Sequence, residues 1–300
     1  MVCTKQILSN GITLIVEKRN IPVVSCGIAN PFGASFETSE VKGIAHFIEH
    51  LLFTGTKTRT HEDISRQIEK RGGILNAYTA NDVTCYLFKL PSEHLFIGLD
   101  ILADMLKNPA FNLEKFEKEK KVILEEIKMY HDAPQNHVYE KIVECLYEKP
   151  FGEGIIGSER TIKQLKRDFV FDYFNRNYSP ENYVVVAVGD VETEKLAEYL
   201  EKTFKKENKT IAPIAIKIKQ DNALEEREGI DQAHYVFALH SPLPNAKERY
   251  TFEVLDAHLA SGMSSRLFLK IREERGLAYA IKSSINMEKN SSYYTIYVGT

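Results

Sequence analysis

The chain lacks long apolar runs, a strong net charge and any cysteine-rich motif. No apolar stretch approaches the roughly 18 residues that span a bilayer, so no membrane partner is expected. The 39 basic and 42 acidic residues give a formal net charge of -3, which does not favour nucleic acid as a partner. The four cysteines form no C-x-x-C pair, which argues against a disulfide framework or a thiolate zinc knuckle. The first residues do not resemble a secretion signal, and we expect a cytoplasmic protein.

The 300 residues include 43% hydrophobic and 27% charged side chains, enough apolar material for two domains. Strand blocks are separated by paired helices, a pattern typical of the α+β class. We predict a hairpin at Asn10-Gly11, a helix over 42–53 and a second one over 61–72 that is capped by Thr60. Strands are predicted within 74–90, helices over 92–108 and 113–130, a buried strand over 183–191 and a helix over 192–204.

The second part of the chain repeats the plan of the first. The order strand, two helices, two strands in residues 22–90 recurs in residues 233–299, and IEKRGG at 68–73 is echoed by IREERG at 271–276, 203 positions later. This pattern predicts an internal duplication. We expect a first α+β domain over residues 1–210, a charged linker over 211–223 and a homologous second domain starting at 224. That second domain is expected to be incomplete at residue 300, its missing part either absent or supplied by another chain.

GIAHFIEHLLF places two histidines and a glutamate on one face of a predicted helix. At 100° per residue, His50 lies about 40° from His46, and Glu49 lies about 60° to the other side of His46. Two imidazoles one turn apart can bind one zinc ion, while the carboxylate between them reaches a water in the open coordination position. The alternative is an amphipathic helix with polar residues on one face and one histidine satisfied in the core. Flanking by Phe47 and Ile48 favours the metal site.

A catalytic zinc needs a third protein ligand, and FEKEKKVILEEIKMY offers three carboxylates. Glu119 and Glu126 are seven apart, on one helix side with aliphatic Val122 and Ile123, whereas Glu125 is turned away. Carboxylates beside aliphatic side chains are costly unless a cation compensates, so this face is a candidate source of the ligand. From these residues alone, a solvated charge stripe is an equally good interpretation.

These motifs resemble the family of pitrilysin, insulin-degrading enzyme and the mitochondrial processing peptidase. The resemblance rests on H-x-x-E-H, on VILEEI with Glu126 76 positions beyond His50, and on GGILNAYTANDVTCY and IREERGLAY. It is closest to the short bacterial and processing-peptidase-like members. It implies duplicated domains, each a mostly antiparallel sheet covered by helices, with the two halves facing each other as a clamshell.

The resemblance also implies roles for individual residues. His46, His50 and Glu126 would hold Zn²⁺, Glu49 would be the general base, and Glu119 would support the site. An edge strand would pair with peptide substrate as an added strand, through Leu75, Asn76, Ala77 and Tyr78.

Two residues of the second half receive roles only from the resemblance. Arg272 and Tyr279 would contact substrate, and Tyr279 could donate a hydrogen bond to the oxyanion. Without the resemblance, they are an arginine on a charged helix and a tyrosine at the start of a strand.

The sequence therefore predicts a zinc metalloendopeptidase of the inverzincin class that hydrolyses peptides or unfolded, presequence-like segments. One alternative is a non-catalytic binding or partner subunit of the same fold. Another is a structural zinc protein, which is disfavoured because such sites usually close with four ligands and prefer cysteine. The second copy lacks the motif and keeps only His258 on its matching helix, so we expect it to be metal-free. We further expect a homodimer or pairing with a homologous subunit.

Overall fold

The computed structural model describes residues 3–207, 209 and 212–300. The strands of this part are β1 (Cys3–Ile7), β2 (Thr13–Lys18), β3 (Val23–Asn30), β4 (Ile74–Thr79), β5 (Thr84–Pro91), β6 (Val184–Gly189), β7 (His234–His240), β8 (Ala280–Met287) and β9 (Ser292–Gly299). Its α-helices are α1 (Ile44–Phe53), α2 (His61–Glu69), α3 (Leu95–Lys107), α4 (Leu113–Asp132), α5 (Pro134–Leu146), α6 (Glu159–Gln164), α7 (Arg167–Asn177), α8 (Thr193–Thr203) and α9 (Glu248–Leu259). The predicted α+β class is confirmed.

Residue contacts divide the chain into two compact units. The first comprises Met1–Glu125 and Ile155–Ile214, and the second comprises Glu126–Gly154 and Ala215–Thr300. One boundary falls inside α4, which is a single uninterrupted helix. The predicted domain boundary between residues 210 and 211 lies outside the described residues, so the division into 1–210, a linker over 211–223 and 224–300 stays a prediction.

The first unit is built on a six-stranded sheet with the order β1-β2-β6-β3-β5-β4. Only the pairing of β2 with β6 is parallel among the described strands, so the sheet is mostly antiparallel, as predicted. In β2 and β3 alternate residues are buried, which is the period-two pattern of a strand with one face on the core. Strand β4 lies at the edge of this sheet.

Helices α1 and α3 supply much of the apolar layer of the first unit. On α1 the buried side chains are Ile44, Ala45, Phe47, Ile48, Leu51 and Leu52. Each large one contributes about 1.5–3 kcal/mol by leaving water. Helix α1 contacts α3, β4 and β5. This burial fixes which side of α1 faces the core, and so where its polar residues lie.

The start of α1 is held by a buried carboxylate. Gly43, which precedes the helix, has φ of 95°, in the left-handed region that favours glycine. The side chain of Glu37, fully buried, accepts hydrogen bonds from the backbone N–H groups of Gly43 at 3.0 Å and Ala45 at 2.7 Å. Helix N-termini carry unpaired N–H groups and a partial positive charge, and both favour a carboxylate.

A buried lysine accompanies this carboxylate. Lys42 Nζ lies 3.8 Å from Glu37 Oε2 and donates a hydrogen bond to the carbonyl of Ala34 at 2.8 Å. The positive charge partly offsets the cost of burying the Glu37 carboxylate. The segment that leads into α1 is therefore tied to the helix by charged hydrogen bonds.

The second unit contains a three-stranded antiparallel sheet with the order β7-β9-β8. This order matches β3-β5-β4 of the first unit, strand for strand along the chain, which supports the predicted duplication. Leu146, Tyr147 and Phe151 form a core cluster with side chains that include Val143 of α5 and Ala238 of β7. A short π-helix, Phe268–Glu273, includes the first residues of the IREERG segment.

Across the described residues, no helix combines the length and apolar character needed to cross a lipid bilayer.

Replacing Glu37 tests how strongly the start of α1 depends on it. Glu37→Ala would leave the buried Lys42 ammonium without its neighbouring carboxylate and two helix N–H groups without their acceptor. We expect the free energy of unfolding to fall by about 3–5 kcal/mol, measured by urea denaturation. The matched control is Glu40→Ala, an exposed glutamate of the same loop, which should change stability little. Equal stability of the two variants would contradict this interpretation.

Candidate metal centre

Helix α1 presents His46, Glu49 and His50 on its half-buried side, between the buried apolar residues that pack on the core. The two imidazole rings are edge to face, with centroids 4.7 Å apart. Burial, and secondarily the neighbouring His50, lowers the pKa of His46 to about 4. His46 is therefore neutral at physiological pH, and a neutral imidazole is the form that binds metals.

Helix α4 brings the third candidate ligand to this pair. Ligand atoms of His46, His50 and Glu126 all lie within 4.8 Å of one another. In the described part of the chain, this is the one group of at least three such side chains that meets this distance. Glu125, the next residue on the helix, is exposed, as its predicted orientation requires.

Glu119 lies about two helical turns before Glu126, on the same face of α4. Its Oε2 is 3.4 Å from Nδ1 of His50, and both side chains are partly buried. With Nδ1 donating to Glu119, Nε2 of His50 keeps the lone pair that a metal ion needs. Carboxylates commonly hold metal-binding histidines in this way, so Glu119 fits a supporting role.

The donor set fits a zinc ion. Two neutral imidazoles and one carboxylate form a three-ligand set of the type that catalytic zinc sites use, in which a fourth position stays open to water or substrate. The negative charge of the carboxylate would partly offset the double positive charge of a zinc ion, which lowers the net charge of the site. A structural site would normally close with a fourth protein ligand, and no further side chain joins the cluster among the described residues.

Glu49 is anchored by a residue that the sequence analysis did not single out. The hydroxyl of Thr79, the last residue of β4, donates a hydrogen bond to Oε2 of Glu49. The period-two pattern of β4 could have pointed to Thr79, because Leu75, Ala77 and Thr79 share its less exposed face. Glu37 was missed as well, because it lies seven residues before Ile44, outside the capping positions that a sequence pattern identifies.

The four residues predicted to bind substrate lie on β4, which pairs with β5 and is the outermost strand of its sheet among the described residues. Leu75 and Ala77 are half-buried, and Asn76 and Tyr78 are exposed. Asn76 also accepts a hydrogen bond from the backbone N–H of Ala77 at 2.9 Å. The predicted edge position of this strand is what the structure shows; its pairing with substrate stays a prediction.

Arg272 and Tyr279 belong to the second unit, and both are exposed. The guanidinium of Arg272 lies over the ring of Phe268, 4.7 Å from its centroid. The hydroxyl of Tyr279 lies 3.2 Å from that of Tyr297, which in turn is 2.8 Å from Nδ1 of His234. These contacts neither require nor oppose a role in substrate binding, which stays a prediction.

Comparison with known proteins identifies the family. The family model of insulinase (peptidase family M16) matches residues 13–159, and that of the peptidase M16 inactive domain matches residues 164–300. A protein of Bacillus subtilis, named an uncharacterized zinc protease, is 32% identical over 295 residues, which cover 97% of this chain and 72% of the relative. Another protein with that description, from Rickettsia bellii, is 34% identical over 309 residues, with coverage of 98% and 72%.

Two solved structures share the fold. A protease from Helicobacter pylori has a TM-score of 0.92 at 23% identity, covering 99% of this chain and 75% of that one. A peptidase M16 inactive domain from Pseudomonas fluorescens has a TM-score of 0.86 at 16% identity, with coverage of 100% and 74%. At these identities the two structures speak for the fold alone. The family models and the sequence relatives confirm the resemblance: this chain belongs to peptidase family M16, the insulinase family.

Proposed function

We propose that this protein is a zinc-dependent endopeptidase. One observation carries the proposal: His46, His50 and Glu126 converge within 4.8 Å, and Glu49 stands on the same helix between the two histidines. The two sequence relatives are named uncharacterized zinc proteases, and these names support the proposal. An intact H-x-x-E-H motif favours an enzyme over a non-catalytic partner subunit of the same fold.

In this proposal His46, His50 and Glu126 hold Zn²⁺, with Glu119 fixing the ring of His50. Zinc bound there would act as a Lewis acid, lowering the pKa of water and polarising the scissile carbonyl. Glu49 would take a proton from the attacking water through its carboxylate and later pass it to the leaving amine. The hydrogen bond from Thr79 holds the Glu49 carboxylate beside the edge strand β4.

The substrate in this proposal is an extended peptide or an unfolded, presequence-like segment. It would add to the edge of β4 along Leu75, Asn76, Ala77 and Tyr78, through backbone hydrogen bonds that tolerate many side chains. Because Thr79 at the end of β4 contacts Glu49, a peptide on this edge would lie near the base. From the second unit, we propose that Arg272 contacts substrate and that Tyr279 donates to the oxyanion.

Two further proposals rest on the sequence alone. The protein would act as a homodimer or pair with a homologous subunit, and it would be located in the cytoplasm.

The metal ligands can be tested through two neighbouring glutamates. Glu126→Gln removes a charged ligand, so zinc affinity should fall by more than the roughly 10- to 100-fold that loss of a supporting residue costs. Glu125→Gln is the matched control, because Glu125 is the next residue on the same helix but is exposed. Competition with a chromophoric chelator measures both affinities. Equal zinc affinity in the two variants would remove Glu126 from the ligand set.

The general base can be tested by Glu49→Gln. The amide cannot take a proton from water, so we expect kcat on a quenched fluorescent peptide library to fall by roughly 10²–10⁴-fold. Zinc content should stay at the parent level, because the three ligands are unchanged. The parent activity should disappear with a chelator and return with zinc. A parent protein that binds zinc yet cleaves no peptide would favour the partner-subunit alternative.

A further inference from the structure

The turn after β4 is fixed by hydrogen bonds that do not involve Glu49. The N–H of Ala80 donates to the carbonyl of Val83 at 2.8 Å, which closes the turn between β4 and β5. From outside the turn, the N–H of Ala34 donates to the carbonyl of Ala80 at 3.0 Å. The N–H and the hydroxyl of Ser35 both donate to the carbonyl of Asn81, at 2.9 and 2.8 Å. Thr79, which directly precedes this turn, therefore has a fixed backbone.

Gly33 makes this close approach possible. A Cβ atom built at Gly33 would lie 2.2 Å from the carbonyl oxygen of Ala80 and 2.6 Å from that of Asn81. Both contacts are to backbone, which cannot move aside cheaply. Only a glycine lets the segment that precedes α1 lie against the turn that follows Thr79.

The segment that contains Gly33 also fixes helix α1, which carries Glu49, the acceptor of the hydrogen bond from Thr79. Residues Gly33–Glu37 contact the β4–β5 turn through Ala34 and Ser35, and they hold the first turn of α1 through Glu37. Thr79 and Glu49 are thus placed relative to each other by one short stretch of chain. Helix α1 also contacts β4 directly.

The Glu49 carboxylate is the adjustable member of this pair. Rotation about the last torsion of a glutamate is broad and roughly two-fold, so backbone placement alone does not orient the carboxylate plane. A donor of fixed position selects one orientation. General-base catalysis depends on such orientation, since the accepting oxygen must lie within hydrogen-bonding reach of the proton that it takes.

We propose that Thr79 is a positioning residue for Glu49: its hydroxyl, held by the β4–β5 turn, orients the carboxylate that takes the proton from water. This inference rests on the proposed function, because it assumes that Glu49 is the base. It adds a residue outside the H-x-x-E-H motif to the catalytic machinery. It also ties the orientation of the base to the strand proposed to bind the substrate.

Thr79→Val tests the proposal because valine keeps the shape of threonine and lacks the hydroxyl. We expect kcat to fall about 10- to 100-fold, as for the loss of other orienting residues, with KM and zinc content near the parent values. Thr79→Ser keeps the hydroxyl and should restore most of kcat. Thr79→Ala is measured alongside, so that a valine variant that does not fold still leaves a variant without the hydroxyl.

Thr84→Val is the matched control. Thr84 pairs with Thr79 across the β4–β5 ladder, but its hydroxyl donates to the carbonyl of Phe32 at 2.9 Å. This control should lose stability, because a buried carbonyl loses its donor, while kcat stays near the parent value. A zinc-loaded Thr79→Val or Thr79→Ala protein with parent kcat would overturn the proposal, as would a serine variant as slow as the valine variant.

A measurement without turnover tests the same hydrogen bond. Thr79→Val, Glu49→Ala and the double variant are unfolded in urea in the metal-free state. If the two side chains interact, their effects on the folding equilibrium constant are non-additive, and we expect a coupling of about tenfold. Strict additivity would contradict the proposal.

Glu49→Gln distinguishes a failure of the proposed function from a failure of the role proposed for Thr79. If Glu49→Gln retains parent kcat, the proposed function itself is wrong. If Glu49→Gln is inactive while Thr79→Val turns over like the parent, only the role of Thr79 is wrong.

Discussion

Helix α1 begins against the buried carboxylate of Glu37, and three residues of the candidate site, His46, Glu49 and His50, depend on how that helix is placed. Two helix N–H groups donate to Glu37, and a buried ammonium from Lys42 lies beside it. Hydrogen bonds to charged groups contribute about 1.5–3 kcal/mol each, and more is lost when one buried partner is removed. The apolar side of α1 then fixes the rotation of the helix about its axis. The anchored start of α1 and its fixed rotation together place the side chains of His46, Glu49 and His50.

The second constraint on the site comes from α4, which spans more than five turns and carries Glu119 and Glu126 on one side. Glu126 lies within 4.8 Å of the histidine pair, and Glu119 contacts Nδ1 of His50. A residue spacing of seven keeps two side chains nearly in line on a helix. The helix can therefore supply one carboxylate to a metal and another to a histidine that binds it, without any change in backbone geometry.

Much of this arrangement could be predicted from the sequence, because helical and strand periods decide which residues share a face. The outward position of Glu125 and the H-x-x-E-H helix follow from local spacing, whereas the edge position of β4 was implied by the family resemblance and not by the spacing. The contacts of Glu37 and Thr79 could not be predicted in this way. Each joins residues that only the tertiary fold brings close, six and eight positions apart for Glu37 and thirty for Thr79. Helices α5, α6 and α7 were not predicted either; α6, with six residues, is too short for apolar periodicity to identify.

Among the described residues, the cluster of His46, His50 and Glu126 has no equivalent in the second copy of the duplicated plan. The sheet order β7-β9-β8 repeats β3-β5-β4, so the backbone plan was kept in the second unit. On α9, the counterpart of α1, no pair of histidines recurs, and no residue is buried. A metal site needs several side chains within a few ångströms, whereas a strand order needs only alternating apolar residues and turns. The fold therefore tolerates sequence change that the site does not, and one copy can keep the architecture without the metal ligands.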